Sequence, residues 1–326
     1  MMRSPRFFSV ACRAPNGEII LRTEEIEKTW IGRQKWLKFP FLRGSLALLD
    51  SMALGTRAMR FASNVQMSAE YQPVDPNAAP VPTQVSASGG KNAIQDAAIG
   101  ATLLISVLIG LAIFNYLPNT IAELLHRRVG NTDDRITNIF AEVAKAILFF
   151  GYIGLIGLVP DIREVFKYHG AEHKAINTLE ADQPLEMAEC LKQTRLHPRC
   201  GTSFAIIVLL LGFLVFTFVP RYPLGEHTHI IFNITVRFGI ELIILPFIAG
   251  VAYELLRMAG KFRNATLITV LFSPGLASQY LTTREPDPRH IEVALAALRA
   301  CITAEAGEPT RVEPEANALE SAPIAG

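Results

Sequence analysis

Thr202-Ser-Phe-Ala-Ile-Ile-Val-Leu-Leu-Leu-Gly-Phe-Leu-Val-Phe-Thr-Phe-Val219 holds no charged side chain. A helix needs roughly 17 to 25 mostly apolar residues to cross a bilayer, and this run falls in that range. Three more runs share its character: Ala97–Leu117, Ile136–Val159 and Ile230–Leu256. Half of the 326 residues are hydrophobic and only 19% are charged, whereas soluble domains carry about 25% charge. Helices buried in one soluble core are the competing reading, and the low charge speaks against it. The expected fold is mainly α, a multi-pass transmembrane helical protein with four spans (about 97–117, 136–159, 202–219 and 230–256) and a small N-terminal β-hairpin.

Immediately before the quoted run stands Leu196-His-Pro-Arg-Cys-Gly201, and earlier in the same loop Tyr168-His-Gly-Ala-Glu-His-Lys174. Those two stretches together hold three of the seven histidines and one of the four cysteines. On a helix His169 and His173, four apart, share a face. Glu172 gives the order His-x-x-Glu-His, the inverted zinc-peptidase motif. His197 and Cys200 form a second pair, stiffened by Pro198. Imidazole and thiolate donors suit zinc, so a divalent metal, zinc by donor type, is the expected cofactor at His169, His173, His197 and Cys200. Glu164 to about Glu180 reads as a helix leaving the membrane, with Glu180 near the histidine stripe.

Two site designs follow. Four bound donors make a closed His3Cys tetrahedron, normally structural; three leave a position for water, whose pKa would fall towards about 7. Glu172 would then be placed to take its proton as general base. The bland alternative is histidines hydrogen-bonded within a polar loop. Glu241 or Glu254 could complete the site from the fourth span, with Pro246 kinking the helix between them. Intramembrane charges otherwise pair along their own helices, Glu142 with Lys145 and Arg237 with Glu241. His227-Thr-His229 reads as a solvated loop pair.

Lysine and arginine set the orientation. Arg57, Arg60 and Lys91 precede the first run; Arg163, Lys167, Lys174, Lys192, Arg195 and Arg199 lie between the second and third; Arg257, Lys261 and Arg263 follow the fourth. The remaining loops carry only Arg127, Arg128, Arg135 and Arg221. This places both termini and the histidine loop in the cytoplasm, at the cytoplasmic (inner) membrane of a bacterium. Cys12, Cys190, Cys200 and Cys301 would all face the reducing side, so no disulfide framework is expected. No cleavable signal peptide is visible. A net charge of +1 gives no reason to expect nucleic acid as a partner. The bilayer is the expected partner, alongside a substrate or protein that composition does not name.

Along the chain, 1–65 reads as a cytoplasmic hairpin plus an amphipathic interfacial helix from Trp30 to about Phe61, the hairpin turning at Ala14-Pro-Asn-Gly17. Residues 66–92 read as a disordered linker. The membrane domain takes 93–283, with the metal-site loop at 160–201 and a turn at Ser273-Pro-Gly275. A cytoplasmic amphipathic helix follows in 284–303, about Pro288 to Ile302, and a disordered tail in 304–326.

The chain resembles a bacterial integral-membrane family of unknown function, the YqhQ-like proteins, generally described as predicted metal-dependent enzymes. The resemblance rests on Met2–Phe8 with Arg13–Glu18, on Tyr168–Lys174, on Arg195–Phe204, on Tyr253-Glu-Leu-Leu-Arg257 and on Leu281-Thr-Thr-Arg-Glu-Pro286, covering nearly the whole chain. It implies a multi-pass membrane protein with metal at His169, His173, His197 and Cys200 and a catalytic role for Glu172. No substrate comes with it. Family members carry a glycine-rich lead ending in Glu-Gly-Val ahead of the first block, so a start at an internal methionine is expected here. A glutamate from that lead, if part of the site, would leave it incomplete. As an enzyme the protein would be a hydrolase; the alternatives are a structural zinc site that docks a partner protein, and ion or solute transport.

Overall fold

The computed structural model describes residues 1–26, 42–72, 93–130, 133–198, 200–225, 227–261 and 266–307. The amphipathic segment before 42, the linker from 73 and the tail from 308 lie outside the described residues, as do Arg199 and Arg263.

Three antiparallel strands open the chain: β1 (Met2–Arg3), β2 (Phe7–Arg13) and β3 (Ile19–Glu25), in the order β1-β2-β3. The expected hairpin is β2–β3, with Arg13 facing Ile19 across the turn. Gly17 sits at φ +94°, a conformation that side chains with a Cβ seldom adopt. Ser9 is fully buried and pairs its hydroxyl with Thr23 at 2.8 Å.

Helix α1 (Leu42–Met67) continues past the expected end at Phe61, and a single 3-10 turn, Ala69–Tyr71, follows it. The start expected for the linker at 66 is therefore ordered. Asn16 N–H donates to Tyr71 O at 3.0 Å, tying this turn back to the hairpin. Leu54 packs with Phe8 and Val10 of the sheet. At its other end α1 lies so close to the helix carrying Tyr253 that a Cβ on Gly44 would stand 2.5 Å from Tyr253 Cβ.

Among the described residues, three helices are long and apolar enough to cross a membrane. They are α2 (Ala93–Val129) in its portion Leu108–Val129, α3 (Asp134–Ile156), and α7 (Ile230–Lys261) in its portion Ile230–Met258. The first therefore continues well past Leu117, through Pro118, and Pro246 likewise lies inside α7. Between α3 and α7 come α4 (Pro160–Glu180), α5 (Met187–Lys192) and α6 (Gly201–Phe216). The third apolar run is thus a helix of 16 residues, about 24 Å at 1.5 Å per residue.

The turn expected at Ser273-Pro-Gly275 is instead the interior of α8 (Thr266–Thr282). Turn residues were outvoted there by packing: a Cβ on Gly275 would lie 3.1 Å from Ser203 Cβ, so the glycine lets α8 close onto α6. Helix α9 (Pro288–Ala306) starts as expected at Pro288 but runs beyond Ile302, ending at Gly307 in the left-handed conformation (φ +80°).

Beyond the Phe8–Val10–Leu54 cluster, the apolar interior of the described residues gathers in two places. Near the N-terminal sheet, Met2, Ala171, Ala175, Cys190, Ile291 and Leu298 join β1, α4, α5 and α9 in one apolar core. Among the long helices, Phe204, Ala249 and Ala252 pack α6 against α7, with Phe216, Val219 and Ile248 continuing the seam.

Four charges meet between α3 and α7. Lys145 Nζ reaches Glu142 at 2.8 Å and Glu241 at 3.0 Å, and Arg237 Nε reaches Glu241 at 2.8 Å. Asn115 of α2 donates to the same Glu241 at 3.1 Å. The within-helix pairs expected from spacing do form, but Lys145 joins them across helices into one charge-balanced network. Such closure is what makes ionised groups tolerable away from water.

Candidate metal centre

Helix α4 brings His169 and His173 side by side, with ring centroids 4.4 Å apart. Gly170 between them is required by a close approach. A Cβ there would overlap Arg284 O, so the segment after α8 rests directly on this turn of α4. The 193–198 segment is fixed from three directions. Asn177 Nδ2 donates to Thr194 O (2.8 Å) and Leu196 O (3.1 Å). His173 Nδ1 donates to Arg195 O at 2.6 Å. Gln279, fully buried on α8, accepts from His197 N–H and donates to His197 O, each at 2.8 Å. Cys200 then caps α6, its Sγ accepting from Thr202 N at 3.5 Å.

His169, His173 and Cys200 thereby place one donor atom each within 4.8 Å of one another. Zinc bonds of 2.0–2.3 Å put tetrahedral ligands about 3.5 Å apart, so modest closure completes the grip. The tautomers suit it. His169 Nδ1 lies 2.9 Å from Thr282 O, and His173 Nδ1 is on Arg195 O. A carbonyl only accepts, so both Nδ1 atoms carry hydrogen and both Nε2 atoms are left for the cluster. Donor chemistry and outer hydrogen bonds together fit a divalent ion.

Electrostatics agree. Burial pushes the Cys200 thiol up, but hydrogen bonds from His169 and His173 and the nearby His169 charge outweigh it and bring it down to about 5. His169 moves the opposite way: burial lowers it, and the Cys200 hydrogen bond and charge, with the Thr282 carbonyl, carry it above its usual value. Both shifts favour the thiolate and the protonated imidazole, and a helix start itself favours a thiolate.

The other expected ligands stand elsewhere. The His197 ring is 5.8 Å from that of His173, but its Nε2 faces Glu180 at 3.3 Å, so His197 and Glu180 pair with each other outside the donor group. Glu241 belongs to the charge network between α3 and α7. Glu254, half-buried on α7, is not in the group either. Glu172 lies on α4 beside the histidines, and its carboxylate accepts from the Met1 α-ammonium. Near α7's start, His229 Nδ1 accepts from Ile231 N–H at 3.4 Å.

Gln279, Thr282 and Arg284 escaped the sequence reading as site residues. The only signal was the block Leu281–Pro286, which offered no metal donor beyond Glu285. Glu285 instead pairs with Lys174 at 2.5 Å, and Lys174 also donates to Leu191 O at 2.9 Å.

A mainly helical chain with membrane-length helices and a small sheet defines the class structurally. The family model described as "Protein of unknown function (DUF1385)" matches residues 39–304, and the chain belongs to that family. It is 32% identical over 286 residues to "Uncharacterized protein YqhQ" of Bacillus subtilis (strain 168), covering 86% of this chain and 83% of that protein. The likeness is to a YqhQ-like family of unknown function. No solved structure matches the chain.

Proposed function

We propose that this protein is a membrane hydrolase with a three-ligand divalent-metal site, filled by zinc, at the cytoplasmic surface of the inner membrane. The observation that carries the proposal is the convergence of His169, His173 and Cys200, with both histidine Nδ1 atoms tied to backbone carbonyls. Three protein ligands leave a coordination position open, the pattern of catalytic rather than structural zinc.

A bound ion there would supply a Lewis acid and lower the pKa of coordinated water. The chain's own residues do the rest. Cys200 offers thiolate charge to hold the ion, and His169 gives up its Nε2 proton on binding. Glu172, one residue before His173, serves as the general base. Thr202 Oγ1, 3.2 Å from Cys200 Sγ, and the Thr282 carbonyl orient the donors.

Four spans with both termini cytoplasmic is the topology that fits. Support comes from α6, which lies along most of α3 despite its length. Asn138, in the first turns of α3, donates to Thr217 O and Val219 O at 3.0 Å each, while Thr202 and Ile206 line one small cavity with Phe149, Phe150 and Ile153 near its other end. The lysine and arginine distribution puts the α4 end inside.

The test is zinc titration of the metal-stripped, detergent-purified protein, with Glu172→Gln beside it in a screen of ester and peptide substrates. Stoichiometric zinc in both, with turnover lost only in Glu172→Gln, is expected. Turnover unchanged by Glu172→Gln would overturn the catalytic assignment.

A further inference from the structure

Around the histidine–cysteine group the carboxylates have cations of their own. Glu180 faces His197, and Glu285 pairs with Lys174. Glu164 and Asp287 share Lys167, at 2.8 and 3.2 Å. Two arginines of the same region differ. Among the described residues, no carboxylate lies within ion-pair distance of Arg195 or Arg284. Each is nevertheless tied to the donor group through its own main chain. Arg195 O accepts from His173 Nδ1 at 2.6 Å. Arg284 N–H donates to Phe166 O at 2.9 Å, and Arg284 O presses on Gly170, the residue after His169.

Both guanidinium groups stay open to a ligand. That of Arg195 lies 5.5 Å from the ring of Tyr280, which is 55% exposed and stands on α8 just before Thr282, the residue whose carbonyl holds His169. Arg284 buries its Nε without a partner, whereas its two Nη nitrogens reach solvent and hold no acceptor. A guanidinium half-withdrawn from water with its donors unused favours an anion that fills them. The end of α8 contributes only about half a negative charge against two full positive ones, so the arginines set the local sign. One planar fork already satisfies a carboxylate, which carries a single charge. A phosphate monoester offers about three acceptor oxygens and close to two negative charges, which matches both arginines together.

We propose that Arg195 and Arg284 hold a phosphate monoester group of the substrate beside the histidine–cysteine centre. The inference rests on the hydrolase reading above and deepens it by naming the substrate class, an organic phosphate. Cys200 caps the apolar helix α6, so the site stands where apolar chain begins. The phosphate therefore belongs to a lipid headgroup or to a water-soluble ester, two sources that share one recognition chemistry. Arg195 and Arg284 set specificity, and the metal ligands stay His169, His173 and Cys200.

The experiment uses the full chain in two arms. Metal-stripped protein in detergent is titrated with inorganic phosphate by calorimetry, so that no zinc competes for the anion. In parallel, protein released from nanodiscs of phosphatidylcholine doped with phosphatidic acid is read by native mass spectrometry for the lipid it retains. Arg195→Gln and Arg284→Gln should each weaken binding by about tenfold, the loss of a charge-assisted hydrogen bond. Arg163→Gln, at an exposed arginine of α4, should leave it unchanged. Should a glutamine variant misfold, lysine at that position keeps the charge, loses the fork and should weaken binding several-fold. Phosphate binding without phosphatidic acid retention supports a water-soluble ester, and the reverse supports a lipid headgroup. Binding in neither arm, or an equal loss in Arg163→Gln, overturns the proposal. Zinc uptake is measured on the same preparations. Anion binding without zinc uptake supports the arginine site and overturns the hydrolase reading, whereas zinc uptake without anion binding overturns the arginine site alone.

Discussion

His169 Nε2 lies 3.2 Å from Cys200 Sγ, although 31 residues separate them in the chain. With both groups buried or nearly so, the contact favours a shared-proton pair whose hydrogen a divalent ion can replace.

That pair sets a pH dependence. The Cys200 thiol falls from an ordinary 9.0 to about 5, so its contribution to stability is full above 9, and is lost as pH falls through 5. His169 is raised from 6.5, so its contribution is full below 6.5 and is lost as pH rises through its elevated folded value. Metal-stripped protein should show a thiolate absorbance step near pH 5 that Cys200→Ser removes. Burial pushes the Cys190 and Cys301 thiols up, so neither contributes at that pH. A first step appearing only near pH 9 would contradict the pairing.

Gly170→Ala should destabilise the protein by about 1–3 kcal/mol through overpacking. Helix propensity alone favours alanine by about 1 kcal/mol. The obstructing atom is a backbone carbonyl, Arg284 O, which the new Cβ would overlap, so the clash wins. A lowered melting temperature with weakened zinc binding is expected; a stabilised variant would show that α4 and the Arg284 segment are not in contact.

Gln279→Ala takes the acceptor away from the buried His197 N–H, a loss of about 1–3 kcal/mol, while the His197 carbonyl keeps the Cys200 N–H at 3.3 Å. Thermal unfolding in detergent reads it. Gln279→Glu keeps the acceptor for His197 N–H but loses the donor to His197 O and Ser203 Oγ, so it should not rescue.

Glu241→Gln removes the carboxylate that Lys145 and Arg237 share, and breaking a buried pair from one side costs about 3–5 kcal/mol. Folded Glu241→Gln protein should still bind zinc at the wild-type ratio. Zinc lost from folded variant would return Glu241 to the ligand set.

Much of this was legible in the residues. Continuous apolar runs announce helices whatever surrounds them, and Asn16-Gly17 announces its turn because few residues adopt Gly17's φ. The histidine spacing on α4 was equally plain, since His169 and His173 share a face by helical geometry alone. What could not be read was contact between distant segments. Ser273-Pro-Gly275 looks like a turn until Ser203 is known to press on Gly275. His197 and Glu180 each look like ligands until they are found facing one another. Thr282 acts through its main-chain carbonyl, which no residue type reveals.

The most direct measurement is bound metal by elemental mass spectrometry on the purified wild type, His173→Ala, Cys200→Ser and His197→Ala after zinc loading. About one zinc per chain is expected in the wild type, with loss in His173→Ala and Cys200→Ser and retention in His197→Ala. A zinc-loaded wild type holding no stoichiometric metal would contradict the three-ligand centre.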